Sequence, residues 1–119
     1  MMAYQSFEEL DVWKRACRLS VSIYEVLSEC RDFGLKDQMT RAAVSIASNI
    51  AEGAERDSVP EFIRFLNISK GSAAELRTQV YISRQIGILS GETATRLVME
   101  LKTISSKLQA LINSLKPKT

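Results

Sequence analysis

Histidine is absent from this chain of 119 residues, and glycine, proline and cysteine are scarce. The lack of histidine removes the commonest general base and the commonest metal ligand in proteins. Five glycines and two prolines are few for an all-β protein, which needs many tight turns. Two cysteines without histidine also fall short of a zinc site. The scarce residues therefore point to a helical protein without a zinc centre.

The two cysteines, Cys17 and Cys30, fall in one predicted helix, where they lie roughly 20 Å apart and point in different directions. A disulfide cannot bridge that distance, so we expect two free thiols in a reducing compartment. No stretch approaches the roughly 20 apolar residues of a membrane span, and residues 1–10 lack the features of a secretory signal. We therefore expect a cytoplasmic protein without a membrane partner.

The chain has a globular composition, with 45% hydrophobic and 25% charged residues. A chain of this length typically forms one domain, so a single domain is expected over residues 1–119. Apolar residues recur three or four positions apart, which is the period of an α-helix. Capping residues and glycines divide this pattern into four helices, predicted at about residues 8–30, 35–52, 59–87 and 91–115.

Short connections between helices of similar length favour antiparallel neighbours, so the predicted fold is an all-α, up-down-up-down four-helix bundle. Ser6 and Glu9 are spaced as a capping box for the first helix, and Ser58 is the predicted cap of the third. Gly53 is expected to end the second helix in a left-handed conformation. Gly71 falls inside the third helix, where a glycine indicates close contact with a neighbouring helix.

Several polar residues recur in stripes on the second and third helices and do not fit a solvated face: Arg41, Ser45, Asn49, Glu52, Ser72 and Glu75. In a hairpin of these helices, residues whose numbers sum to about 112 lie side by side, which brings Glu75 within reach of Arg41. We interpret the group as a polar network that fixes the register of the two helices. The alternative is acid–base catalysis by Glu52 and Glu75 with Arg41, although no nucleophile–base pair accompanies them.

Charge is distributed unevenly along the chain. Residues 1–61 contain seven Lys or Arg and eleven Asp or Glu, a net charge of −4, whereas residues 62–119 contain nine and three, a net charge of +6. Lys70, Arg77 and Arg84 repeat every seven residues and so share one face of the third helix. Lys102 and Lys107 add positive charge on the fourth. These five residues are the predicted phosphate-binding residues, and the alternative is an ordinary solvated face.

Three segments carry a resemblance to a known family: FEELDVWK at residues 7–14, SIASNIAEG at residues 45–53 and GSAAEL at residues 71–76. In this order they resemble the bacterial four-helix-bundle proteins encoded in intervening sequences of 23S ribosomal RNA genes. That family includes relatives of the accessory proteins of diversity-generating retroelements. The resemblance implies a homo-oligomer in which five bundles close into a ring. It also implies no enzyme activity and no cofactor.

These observations together predict a non-enzymatic, self-assembling scaffold or adaptor that binds RNA, DNA or a ribonucleoprotein. The sequence has no recognition-helix motif and no aromatic stacking platform, so such binding is expected to be tolerant of nucleic-acid sequence. The alternative is a pure protein–protein interaction scaffold that binds no nucleic acid.

Overall fold

The computed structural model describes residues 6–117, and this part of the chain contains helices and no strand. A short 3₁₀ helix at Phe7–Glu9 precedes four α-helices. These are α1 at Asp11–Val26, α2 at Phe33–Ala54, α3 at Val59–Gln85 and α4 at Gly91–Leu115. The described residues extend over 48 × 22 × 19 Å, so the long helices run along the longest dimension, as in a four-helix bundle.

The first helix is shorter than the predicted range of residues 8–30 and is divided in two. Ser6 accepts a hydrogen bond from the N–H of Glu8, which caps the 3₁₀ helix and not α1. Leu10 then has extended backbone angles, φ −72° and ψ 124°, so α1 begins only at Asp11. At the other end a turn at residues 27–29 replaces the last predicted helical residues.

The other three helices begin at side-chain caps. The Asp32 carboxylate accepts a hydrogen bond from the N–H three residues later, at 3.1 Å, so α2 begins two residues before the predicted position. Ser58 caps α3 in the same way at 3.2 Å, as the sequence predicted. Ser90 caps α4 at 3.1 Å. A helix cap of this kind contributes about 1 kcal/mol to stability.

The core is formed by apolar stripes from all four helices. Its largest fully buried side chains are Ile23, Leu27, Met39, Ile46, Ile50, Leu66, Leu76, Leu97, Leu101, Ile104, Leu108 and Ile112. Most neighbours in this set are separated by three, four or seven positions, so the helical periodicity of the sequence is confirmed. Burying one such side chain contributes roughly 1.5–3 kcal/mol, which makes this core the main source of stability.

The four helices meet in a cycle around this core, because α1 and α3 each contact both α2 and α4. The seam between α2 and α3 is the most extensive, and the seam between α1 and α4 is the least extensive. The bundle is therefore packed tightly along one side and loosely along the opposite side.

Gly53 lies in the tight seam, where a Cβ atom would approach the Cβ of Phe65 to 2.6 Å. It is helical and has no positive φ, so its predicted role as a left-handed helix end is wrong. Close helix packing is its role instead. Gly71 is exposed, and nothing among the described residues lies within 4 Å of the position that its Cβ would take. The close contact predicted at Gly71 is therefore absent within the protomer.

Candidate nucleic-acid interface

Three residues of the predicted polar network meet between α2 and α3. The hydroxyl oxygens of Ser45 and Ser72 are 2.8 Å apart. The side-chain nitrogen of Asn49 donates to the Ser45 hydroxyl at 2.9 Å and to the Ser45 carbonyl oxygen at 2.8 Å. The Ser45–Ser72 bond connects the two helices, and the Asn49 bonds orient Ser45 within α2, all at partly buried positions. This part of the group therefore acts in architecture.

The other three residues lie outside that cluster. Arg41 Nε donates to Asp37 Oδ2 at 2.8 Å, with its side chain 78% exposed. Glu52 pairs with Arg56, which lies just beyond the end of α2, at 3.1 Å. Glu75 is exposed and forms no ion pair within residues 6–117. The hypothesis that Glu75 holds Arg41 inside the hairpin is therefore wrong.

The register of the two helices also differs from the prediction. Ser45 lies against Ser72, and Ser69 donates to the carbonyl oxygen of Ile46 at 2.7 Å. The paired numbers thus sum to 117 and 115 instead of about 112, a shift of roughly one helical turn. This register alone would keep Arg41 level with Glu75. The two residues do not pair, since both are exposed and Arg41 bonds to Asp37 on its own helix.

Four of the predicted phosphate-binding residues form a group that we call the α3/α4 basic face: Lys70, Arg77, Arg84 and Lys102. The Lys70 ammonium donates to the side-chain carbonyl oxygen of Gln109, which places Lys70 against α4. Arg77 is half-buried and lies one heptad further along α3. Arg84 and Lys102 line a common concavity between α3 and α4.

This concavity has a volume of about 240 Å³, and none of its lining side chains is a carboxylate. Arg84 and Lys102 are exposed, and neither forms an ion pair with another described residue. The Arg84 guanidinium lies over Gly91, since a Cβ at that glycine would meet it at 3.2 Å. Gly91 begins α4, whose N-terminus carries a partial positive charge. The positive charge of the concavity comes from the side chains of Arg84 and Lys102.

Lys107, the fifth predicted phosphate-binding residue, lies on a different seam. Its ammonium is 3.1 Å from the Asp11 carboxylate on α1. The hydrogen bond from Lys107 holds the pKa of Asp11 below its usual 3.8. Because its charge is already paired, the grouping of Lys107 with the α3/α4 basic face is wrong.

A second group of cations, in the groove between α1 and α4, was not found from the sequence. Arg15 Nη1 donates to both carboxylate oxygens of Glu100, at 3.0 and 3.1 Å, and this raises the pKa of Arg15 above its usual value. Arg18 and Arg96 line the same groove. These residues belong to the first and last helices, so no periodicity within one helix brings them together. The only local signal was the spacing of Arg15 and Arg18, three positions apart.

Neither metal nor thiol chemistry has a favourable site in the described part of the chain. Within residues 6–117, no three His, Cys, Asp or Glu side chains are placed to hold a metal ion. Cys17 and Cys30 are free thiols. Burial raises the pKa of Cys17, which makes it a weak nucleophile at neutral pH. None of the described helices is long and apolar enough to cross a membrane.

Comparisons with known proteins agree with this architecture. Residues 8–110 match the sequence model of a family described as 23S rRNA-intervening sequence protein. The chain also resembles a crystal structure of a protein with unknown function from the S23 ribosomal protein family of Bacteroides thetaiotaomicron VPI-5482, with a TM-score of 0.80. The two sequences are 25% identical, and the match covers 85% of this chain and 97% of that chain. No curated protein matches this chain.

Proposed function

Because the chain belongs to the 23S rRNA-intervening sequence protein family, we propose that it is a non-enzymatic, self-assembling cytoplasmic scaffold that binds RNA or DNA. The binding surface in this proposal is the α3/α4 basic face. The observation that carries it is the concavity in which Arg84 and Lys102 lie without a neighbouring carboxylate. Unpaired cations of this kind bind phosphates and release the counterions that surround a nucleic acid.

The shape of the basic face favours a nucleic-acid backbone over individual bases. From Lys70 to Arg84 the face follows α3 for about 20 Å, which is long enough to meet several successive phosphates. Tyr81 is the one aromatic residue that lines the concavity. One aromatic ring gives little base stacking, so the proposed binding has little sequence preference.

The same proposal includes an up-down-up-down order of the helices. Two hydrogen bonds between α2 and α3 support it. Ile46 on α2 accepts from Ser69 on α3. Met39, earlier on α2, accepts from Ser83, later on α3. The ion pairs between α1 and α4 follow the same rule, because Asp11 meets Lys107 and the later residue Arg15 meets Glu100. Numbers that run in opposite directions are typical of antiparallel neighbours.

Self-assembly is supported by apolar surface on the opposite side of the bundle. Phe7, Trp13 and Val44 line a groove between the 3₁₀ helix, α1 and α2, and few polar atoms interrupt it. Val21 is 57% exposed and Tyr24 is 54% exposed on α1. Exposed apolar surface of this kind marks protein–protein contact sites. The proposed assembly, a ring of five, comes from the family resemblance, and the same surface also favours the alternative of a pure protein–protein scaffold.

The absence of enzyme activity is also part of the proposal. Arg41 and Glu52 line a shallow groove on α2, but Glu75 does not contribute to it. The three residues that could have acted in acid–base catalysis therefore share no single cavity, and general acid–base catalysis requires groups within reach of one substrate.

A salt series of binding curves against structured RNA and duplex DNA tests the proposed function. The triple variant Arg77→Gln, Arg84→Gln and Lys102→Gln removes the unpaired cations of the basic face. For duplex DNA we expect each lost phosphate contact to reduce the slope of log K against log salt by about 0.9. Affinity should fall equally for different sequences, because these contacts read no bases.

The matched control removes three exposed cations elsewhere, through Lys14→Gln, Arg31→Gln and Lys116→Gln. It changes the net charge by the same amount and should leave most of the binding intact. Light scattering on all three proteins should give about five times the 13.3 kDa protomer mass. If wild-type protein binds neither nucleic acid at about 50 mM salt, or if both triple variants bind alike, the pure scaffold replaces the proposal.

A further inference from the structure

The groove between α1 and α4 has the features of a separate anion site. It has a volume of about 330 Å³ and opens along the least extensive seam of the bundle. Its polar lining consists of Arg15, Arg18, Ser22, Arg96, Glu100 and Thr103. Three of these residues are on α1 and three are on α4, so both helices contribute side chains to one cavity.

The carboxylates of this seam are already occupied. Glu100 accepts two hydrogen bonds from Arg15, and Asp11 is shared between Arg15 at 3.2 Å and Lys107 at 3.1 Å. Arg18 forms neither an ion pair nor a hydrogen bond with any described residue, and the same is true of Arg96. The groove thus holds one neutralised arginine and two with unused donors.

The charge of the groove indicates the charge of its ligand. Three arginines and one glutamate line it, which leaves a net charge of +2. Two unpaired guanidinium groups that face one cavity repel each other, and a bound dianion would remove that repulsion. A terminal phosphate carries a charge of about −1.5 to −2 at pH 7, whereas a phosphodiester inside a nucleic-acid chain carries one negative charge.

Hydrogen-bond donors in the groove also suit a terminal phosphate. The planar guanidinium fork binds two phosphate oxygens at once, so Arg18 and Arg96 can hold one phosphate from two helices. The Ser22 hydroxyl is free to donate, since it has no partner among residues 6–117. Thr103 donates to the Met99 carbonyl oxygen at 3.1 Å, so it can only accept.

We propose that the α1/α4 groove binds a terminal phosphate group through Arg18, Arg96 and Ser22, independently of the α3/α4 basic face. The shared chemistry is a phosphate monoester, supplied either by a free nucleotide or by the end of a nucleic-acid strand. The two surfaces lie on different sides of α4, with Met99 lining both concavities.

The test measures the affinity of full-length protein for inorganic phosphate, for adenosine 5′-monophosphate and for one RNA oligonucleotide with either a 5′-phosphate or a 5′-hydroxyl. If a strand end is the source, the 5′-phosphate should strengthen oligonucleotide binding by about tenfold, which corresponds to about 1.4 kcal/mol. If a free nucleotide is the source, adenosine monophosphate should bind to the protein. It should then compete with the 5′-phosphate of the oligonucleotide, so that both oligonucleotides bind equally in its presence. Equal binding of both oligonucleotides, together with no binding of either small phosphate, overturns the proposal.

Two double variants with equal charge change separate this site from the basic face. Arg18→Gln with Arg96→Gln should abolish the tenfold preference for the 5′-phosphate, while binding of the 5′-hydroxyl oligonucleotide changes little. Arg84→Gln with Lys102→Gln should weaken binding of both oligonucleotides and leave the tenfold preference for the 5′-phosphate unchanged. A preference that survives the first variant, or that disappears in the second, overturns the α1/α4 assignment. If the wild-type protein does not bind the 5′-hydroxyl oligonucleotide at all, that result counts only against the function proposed for the basic face.

Discussion

The seam between α2 and α3 and the seam between α1 and α4 hold the same bundle together by different means. Between α2 and α3, the fully buried Ser69 hydroxyl donates to a backbone carbonyl at 2.7 Å, and Gly53 allows Phe65 to pack without a gap. Between α1 and α4, the principal polar contact is the ion pair of Arg15 and Glu100, whose side chains are 31% and 33% exposed. One seam is closed by buried groups, and the other is partly open to solvent.

This difference separates architecture from binding in the molecule. A seam closed by glycine and serine leaves no room for a ligand, because interior packing has few voids larger than a water molecule. An open seam with charged side chains keeps donors available to a ligand, and ligand sites of helical bundles lie between helices. Both proposed phosphate-binding surfaces include α4, one together with α1 and the other together with α3, and neither lies in the α2/α3 seam.

The largest expected effect tests how tightly the α2/α3 seam is packed. Gly53→Ala should destabilise the fold by about 1–3 kcal/mol, because the new Cβ would lie 2.6 Å from the Cβ of Phe65. The Cβ of Phe65 is fixed to its backbone, so the clash can be relieved only by separating the helices. Urea denaturation at constant protein concentration measures the change.

The matched control is Gly71→Ala on the open surface of α3. This substitution meets no atom within 4 Å among the described residues and should stabilise the helix by about 1 kcal/mol. Opposite signs for the two glycines would support the contrast between seam and surface. A Gly53→Ala protein as stable as wild type would show that the α2/α3 seam can expand.

A smaller effect tests the buried hydroxyl of the same seam. Ser69→Ala removes the hydrogen bond to the Ile46 carbonyl and should cost about 1 kcal/mol. Ser106→Ala is the control, because Ser106 is exposed on α4 and gains the same helix propensity from alanine. The difference between the unfolding free energies of the two variants gives the contribution of the Ser69 hydrogen bond to stability. Equal values would mean that the hydroxyl contributes nothing to the seam.

The helices could be predicted from the sequence, because periodicity and caps are local. Ser58 caps α3 as expected, and the buried stripes follow the predicted apolar positions. Partners between helices could not be predicted as well, since no periodicity showed that Arg41 would bond to Asp37 on its own helix instead of Glu75 on the next one. The α1/α4 groove depends on residues far apart in the chain, and nothing in a local pattern shows that Arg15 meets Glu100, 85 positions later.

The smallest effect tests whether the α1/α4 seam depends on pH. Lys107 and Arg15 hold the pKa of Asp11 below its usual 3.8, so the charge of Asp11 stabilises the fold above that value. This contribution is lost as the pH falls through the lower folded-state pKa. Between about pH 5 and pH 3, wild type should therefore lose stability more steeply than Asp11→Asn, with parallel curves at higher pH.

Thermal midpoints recorded from neutral to acidic pH provide the measurement, and Asp57→Asn, in the exposed turn before α3, is the control. If the Asp11→Asn curve follows wild type throughout, the pairs of Asp11 do not form in solution, and Arg15 with Glu100 provides the only ionic link of this seam within residues 6–117.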